Sequence, residues 1–258
     1  VALSLLAVVP AAPTLGLSPT ACRVRNVDTD TVYGTLADAV NALTVPGQHL
    51  TVRGVCHGTT VVFIDVTIRG IRPKGAAKPT LNGDGLGSVV RLPDGPTVTI
   101  SRLTITGGTG YVCRVDCLLG GGVFVDRATL TLRDVVIRGN SADYGGGLVS
   151  QQATVTILGR SVIRNNTATY SGGGLAVYEV GGTLTIGGRT SVHDNDAVDG
   201  AGVDIGAGTL VMGGSSAIHH NTATEVGGGG AHNAAVPAIS RKPLGRPPRF
   251  QGVCRCDL

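Results

Sequence analysis

The chain has 258 residues, of which 41 are Gly and 12 Pro, with 15% charged residues, no Trp, five Tyr and three Phe. So little charge excludes a chain held unfolded by self-repulsion, and so few aromatics exclude an aromatic-rich core; a hydrophobic share of 42% still supplies one sizeable core. The formal charge of +4 vanishes from the body when split by position. Residues 1–235 carry 16 Lys+Arg and 16 Asp+Glu, and the excess lies in 236–258. A neutral body argues against bulk electrostatic capture of nucleic acid, and no apolar run reaches the roughly 18 residues of a membrane span.

Residues 1–21, VALSLLAVVPAAPTLGLSPTA, are apolar and uncharged and read as a signal-peptide-like segment, so the chain is expected to be secreted or displayed at a cell surface. Thr20-Ala21-Cys22 also has the form of a lipoprotein processing site, the less favoured reading. Residues 22–235 are expected to form the folded domain. Cys22, Cys56, Cys113 and Cys117 can form two bridges in an oxidising compartment. Cys22 with Cys56 would staple the start, Cys113 with Cys117 would pin one loop, and the other pairings or four reduced thiols stay open. Zinc is disfavoured, because the six His do not flank these cysteines at ligand spacing. Thr35 and Asp38 resemble a capping box, and Leu36, Ala39, Val40 and Leu43 line one face of a short helix that Pro46-Gly47 stops. This helix is expected to cover the first turn of the folded domain.

A repeat fills the middle of the chain. Gly runs begin at 120, 145, 172, 200 and 227, at intervals of 25, 27, 28 and 27 residues. Each of the first four is followed by a Thr-aliphatic strand (TLTL 129–132, TVTI 154–157, TLTI 183–186, TLVM 209–212) and by an aliphatic-x-x-Asn ending at Asn140, Asn166, Asn195 and Asn221. Apolar residues alternate with period two, as strands with one buried face require. Three short strands per repeat with glycine corners predict an all-β, parallel β-solenoid in which the four Asn stack as an internal ladder. A leucine-rich repeat shares the period and the Asn but not the Gly triplets. Residues 236–258, with four Pro and Cys254 and Cys256, have no hydrophobic period and read as a disordered basic tail. A first residue other than Met, and no evident cap after Asn233, predict that the chain is a fragment of a longer or altered gene product.

The motifs GGLV (146–149), GGLA (173–176), IRGN, IRNN, VHDN and IHHN resemble the polymorphic outer-membrane-protein repeat over residues 120–233. Residues 22–110 look like the beginning of secreted bacterial β-helix proteins. The resemblance implies a right-handed β-helix of the pectin-lyase-like type, secreted or surface-exposed and often an adhesin. The repeat's Phe is Ile or Val here, and no membrane barrel follows. Pectin-lyase-like proteins include lyases and glycosidases, which need paired carboxylates. The aligned columns Phe124, Val149, Ala176, Asp204 and Asp126, Gln151, Tyr178, Gly206, taken as outward-facing, pair no two acids.

No catalytic residue, cofactor or resident metal is therefore assigned. Asp194, Asp196, Asp199 and Asp204 are the densest acidic group, but calcium would be expected to need tandem copies of such a loop. Arg138, Arg164, His193 and His219 occupy one outward column, which Asp134, Asp143, Asp194 or Asp196 would neutralise unless it meets an anionic ligand. Outward pairs Thr129/Thr131, Thr154/Thr156 and Thr183/Thr185 raise ice binding as a minor alternative. The sequence reads best as a non-enzymatic β-helix contacting polysaccharide, a cell envelope or a host matrix surface, with a carbohydrate-active enzyme as the alternative.

Overall fold

The computed structural model describes residues 21–113, 117–225 and 229–233. The signal-like segment before Ala21 and the basic tail lie outside the described residues. From Gln48 onward the chain coils as a parallel β-solenoid, each turn adding one strand to each of several stacked sheets. The threonine sheet holds Gln48–Arg53, Val66–Gly70, Thr97–Ser101, Thr129–Arg133, Thr154–Leu158, Thr183–Ile186 and Thr209–Met212. The second, or ladder, sheet runs from Val55–His57 through Val136–Arg138, Val162–Arg164 and Ser191–His193 to Ala217–His219. The glycine-led sheet runs from Thr60–Val61 through Val123–Asp126, Leu148–Gln151, Leu175–Tyr178 and Val203–Ile205 to Ala231–Asn233.

Three strands per repeat is a correction. A fourth, short sheet enters between the ladder and glycine-led sheets, with Leu118–Leu119, Ser141–Tyr144, Thr167–Ser171, Asp196–Ala197 and Thr222–Ala223. Segments such as TATYS carry no run of alternating apolar residues, so periodicity gives no sign of this sheet.

The Thr-x-Thr strands sit in the register that the repeat demands: Leu130 pairs with Val98 and Val155, and Leu132 with Ile100 and Ile157. These residues point inward and are fully buried, while Thr129 and Thr154 face solvent. Each such Leu, Ile or Val contributes about 1.5–3 kcal/mol through burial, and only stacked neighbours make that burial complete.

The corners have their own chemistry. The third residue of each aliphatic-x-x-Asn ending is left-handed: Gly139 (φ 61°), Asn165 (52°), Asp194 (51°) and His220 (51°). Gly, Asn and Asp visit this region at least cost, which accounts for three of the four choices. In the glycine runs the constraint is space, since a Cβ on Gly147 would come within 3.1 Å of the Asn166 side chain and collide with the Gly174 carbonyl.

The first turn is covered as expected. Helix Leu36–Asn41 buries Leu36, Ala39 and Val40 and packs on the opening strands; Leu43, just beyond it, is buried as well. Asp38 N–H donates to Thr35 Oγ1 at 3.0 Å, and that hydroxyl donates to the Asp38 carboxylate at 2.7 Å. The capping motif is thus a Thr–Asp exchange rather than a full box. Arg23–Asn26 runs antiparallel between Val32–Tyr33 and Gln48–Arg53, and the Cys22–Cys56 disulfide ties this edge to the ladder sheet.

Candidate functional site

Asn140, Asn166, Asn195 and Asn221 stack along the corner after the ladder sheet. Nδ2 of each of the first three donates to Oδ1 of the next at 2.9–3.0 Å, and the backbone N–H of the same residue donates to the same oxygen at 3.0–3.2 Å. Each Nδ2 also donates to a carbonyl one turn back: Ile105, Ile137, Ile163 and Val192. Asn140, Asn166 and Asn195 are buried, and Gly108 N–H closes the first rung on Asn140 Oδ1 at 3.0 Å. These amides are absorbed by the fold and present no binding group.

Arg138, Arg164, His193 and His219 are successive register partners on the outer face of the ladder sheet. Of the four acids expected to neutralise them, only Asp194 does so. It accepts from His193 Nδ1 at 2.8 Å, and that hydrogen bond holds its carboxyl below the ordinary range. Asp134 instead caps Arg160 N–H at 2.9 Å, and Asp143 accepts from Leu118 N–H at 2.9 Å. Asp196 makes no ion pair among the described residues. The His193 and His219 rings stack at 5.2 Å, and Arg164 donates to its neighbour Asn165.

The column belongs to a wider feature that position-by-position charge counting misses. Arg102, Arg133, Arg160 and Arg189 all lie at the corner between the threonine and ladder sheets, and Arg138 and Arg164 on the ladder strands that follow it. None of these six arginines has a carboxylate partner among the described residues. Lys78 joins the same edge, its Nζ donating to the Asp134 carbonyl at 3.0 Å; burial pulls its pKa down. Asp126, Asp143, Asp196, Asp199 and Asp204 lie on the short and glycine-led sheets or the corner between them. A body neutral in total is therefore sharply divided in charge around its axis.

The columns taken as outward on the glycine-led sheet correspond in register as aligned, but they are not exposed. Phe124, Val149, Ala176 and Asp204 pair in sequence, as do Asp126, Gln151 and Tyr178; all of these are buried except the partly exposed Tyr178. Phe124, Val149 and Ala176 form a second small core with Leu119, Cys113 and Cys117, against which Tyr111, Tyr144 and Tyr178 pack. Tyr144 packs on Tyr170 and Tyr178, each at 5.3 Å, so four of the five tyrosines gather on this side.

Beneath them Ser171 Oγ donates to Asp204 at 2.7 Å, and the Tyr178 hydroxyl lies 2.5 Å from Ser171 and 3.2 Å from Asp204. Burial, followed by the Asp204 charge, drives the Tyr178 hydroxyl well above its ordinary pKa. Asp126 is pushed up by burial and partly restrained by Arg127 at 3.1 Å, which also meets Asp94 at 2.6 Å. The hidden signal was the apolar residue at both parities, as in Val123-Phe124-Val125 and Leu148-Val149, which marks a strand covered on both faces.

The acidic group does not converge on a cation. Asp194 serves His193 and Asp204 serves Ser171, and among the described residues no three His, Cys, Asp or Glu are placed to hold a metal ion. The threonine pairs align over Thr129, Thr154, Thr183 and Thr209, while the second column breaks at Val211. Cys113 and Cys117 are both disulfide-bonded, and Cys113 N–H donates to the Cys117 carbonyl at 2.9 Å. No helix among the described residues is long and apolar enough to cross a membrane. No protein family, curated protein or solved structure matches the chain.

Proposed function

We propose that this chain is a non-enzymatic β-helix of the cell exterior that holds an acidic polysaccharide of a cell envelope or matrix along its arginine side. The observation that carries the reading is the group of six arginines without carboxylate partners along the ladder sheet and its leading corner, with His193 and His219 continuing the Arg138–Arg164 column. Arg138 and Arg164 are register partners, like charges on parallel strands about 4.8 Å apart repel, and a polymer carrying anionic groups at intervals along the axis relieves that cost. The Cys22–Cys56 bridge supports an oxidising compartment.

The glycosidase or lyase alternative has less support. Asp126 and Asp204 are separated by three strand spacings, about 14 Å along the stack, whereas glycoside hydrolysis needs carboxyl groups about 5–9.5 Å apart. The test is retention of acidic and neutral polysaccharides over a range of salt concentrations, with product release followed in parallel. Retention of acidic polymers that falls with salt, and that weakens severalfold in the Arg138→Ala/Arg164→Ala double variant, is expected. Equal retention of neutral polymers, release of products, or tighter retention of DNA at the same salt would overturn the reading.

A further inference from the structure

On the other side of the solenoid a hollow of about 320 Å³ opens between the glycine-led sheet and the Tyr111–Val112 strand. Thr59, Leu86, Ser88, Arg91, Tyr111 and Val112 line it. Arg91 projects from the outer face of the glycine-led sheet, in register with Val61 and Phe124. Its guanidinium carbon lies 4.0 Å over the Tyr111 ring, and Tyr111 in turn packs on Phe124 at 5.4 Å.

Two independent features of this hollow are unexplained by the fold. Arg91 Nε is buried and has no hydrogen-bond partner, and no carboxylate meets the guanidinium among the described residues. No other arginine nitrogen among the described residues is buried without a partner. A buried donor left open costs about 1–3 kcal/mol, and such groups are rare in folded proteins. The second feature is apolar exposure, since Leu86 and Val112 flank the hollow with 73% and 61% of their surfaces in solvent. The ring platform restrains the guanidinium, and Tyr111–Val112 is itself held by antiparallel pairing with Leu118–Leu119.

We propose that Arg91 anchors a small carboxylate with an apolar body, the carboxylate on the guanidinium fork and the body between Leu86 and Val112. The planar fork matches a carboxylate through two parallel hydrogen bonds, and the flanking side chains remove the apolar body from water. The site is independent of the basic edge and takes a different ligand.

Titration of the whole chain by calorimetry and ligand-observed NMR, with benzoate, benzamide and inorganic sulfate as probes, tests the assignment. Benzoate is expected to bind saturably in the millimolar range or tighter, with benzamide and sulfate each at least about tenfold weaker. Arg91→Gln is expected to weaken benzoate about tenfold or more while the thermal melt stays cooperative. Leu86→Ser and Val112→Ser, both at exposed positions, weaken it severalfold and serve as the test if Arg91→Gln does not fold. Arg138→Ala leaves benzoate binding unchanged. Absence of saturable benzoate binding, equal binding of benzamide or sulfate, or full affinity in the Leu86 and Val112 variants would overturn the assignment.

Discussion

Replacing Asn166 by Leu probes the ladder at its most enclosed point. Asn166 Oδ1 accepts from both the backbone N–H and Nδ2 of Asn140, and its own Nδ2 donates to the Ile137 carbonyl and to Asn195 Oδ1. Leu fills a similar volume but can do neither. Asn140 Nδ2 retains the Ile105 and Arg138 carbonyls, whereas its backbone N–H loses its acceptor in a site closed to water. That stranded donor costs about 1–3 kcal/mol and the two lost donations about 1 kcal/mol each, offset by about 1 kcal/mol of added apolar burial. The expected loss is about 3 kcal/mol, a large share of a typical domain stability of about 5–15 kcal/mol. Asn221 is only half-buried, so water substitutes for the missing amide and Asn221→Leu costs about 1 kcal/mol. Urea unfolding followed by far-UV circular dichroism measures both variants. A loss at Asn166 below about 0.5 kcal/mol, or equal losses at the two sites, would refute the reasoning.

Asp126→Asn is expected to stabilise the chain at neutral pH. Burial raises the folded carboxyl above its ordinary value of 3.8, so the native state resists ionisation, and stability falls as pH rises from 3.8 through the folded value. The advantage of Asn should therefore disappear below pH 3.8, and thermal melts across that range check the sign. Removing the Cys22–Cys56 bridge, which closes a separation of 34 residues, is expected to cost about 4 kcal/mol on the loop-entropy view, measured with Cys22→Ala/Cys56→Ala by denaturant midpoint. Gly146→Ala places a methyl group against the Thr167 carbonyl and 2.7 Å from the Gly173 carbonyl. It should cost about 1–3 kcal/mol or more, while Gly213→Ala, with nothing within 4 Å, should leave the melting temperature nearly unchanged.

The solenoid and its ladder were legible because each turn repeats the same demands. Thr-aliphatic alternation sets the buried row and Asn the internal amide, so intervals of 25–28 residues align them from the sequence alone. The short sheet was not legible, since Ser141–Tyr144 and Thr167–Ser171 hold place by backbone pairing and carry little apolar pattern. Its consequence was missed with it: Asp204 reads as outward because Ser171 of the short sheet and Tyr178, which meet its carboxylate, come from another turn. Charge failed for a different reason. A sum along the chain keeps sign but discards angle, and Arg102, Arg133, Arg160 and Arg189 come to one corner only once the chain is wound. Arg91 gave no signal at all, since an arginine's lack of a partner is a property of its surroundings.

Winding also decides how such a chain would answer force. Drawn out by its ends, a coil of short parallel strands offers no long strand pair to slide in shear; a turn peels from its neighbour a few hydrogen bonds at a time and then yields its whole length. Some 27 residues at about 3.3–3.6 Å each release roughly 90 Å of chain in exchange for one strand spacing of about 5 Å. Extension would thus proceed in near-equal steps at modest tension, each step surrendering one asparagine rung. The 34-residue link from Cys22 to Cys56 would withhold its own segment until reduced. A coil built this way would lengthen turn by turn rather than give way all at once.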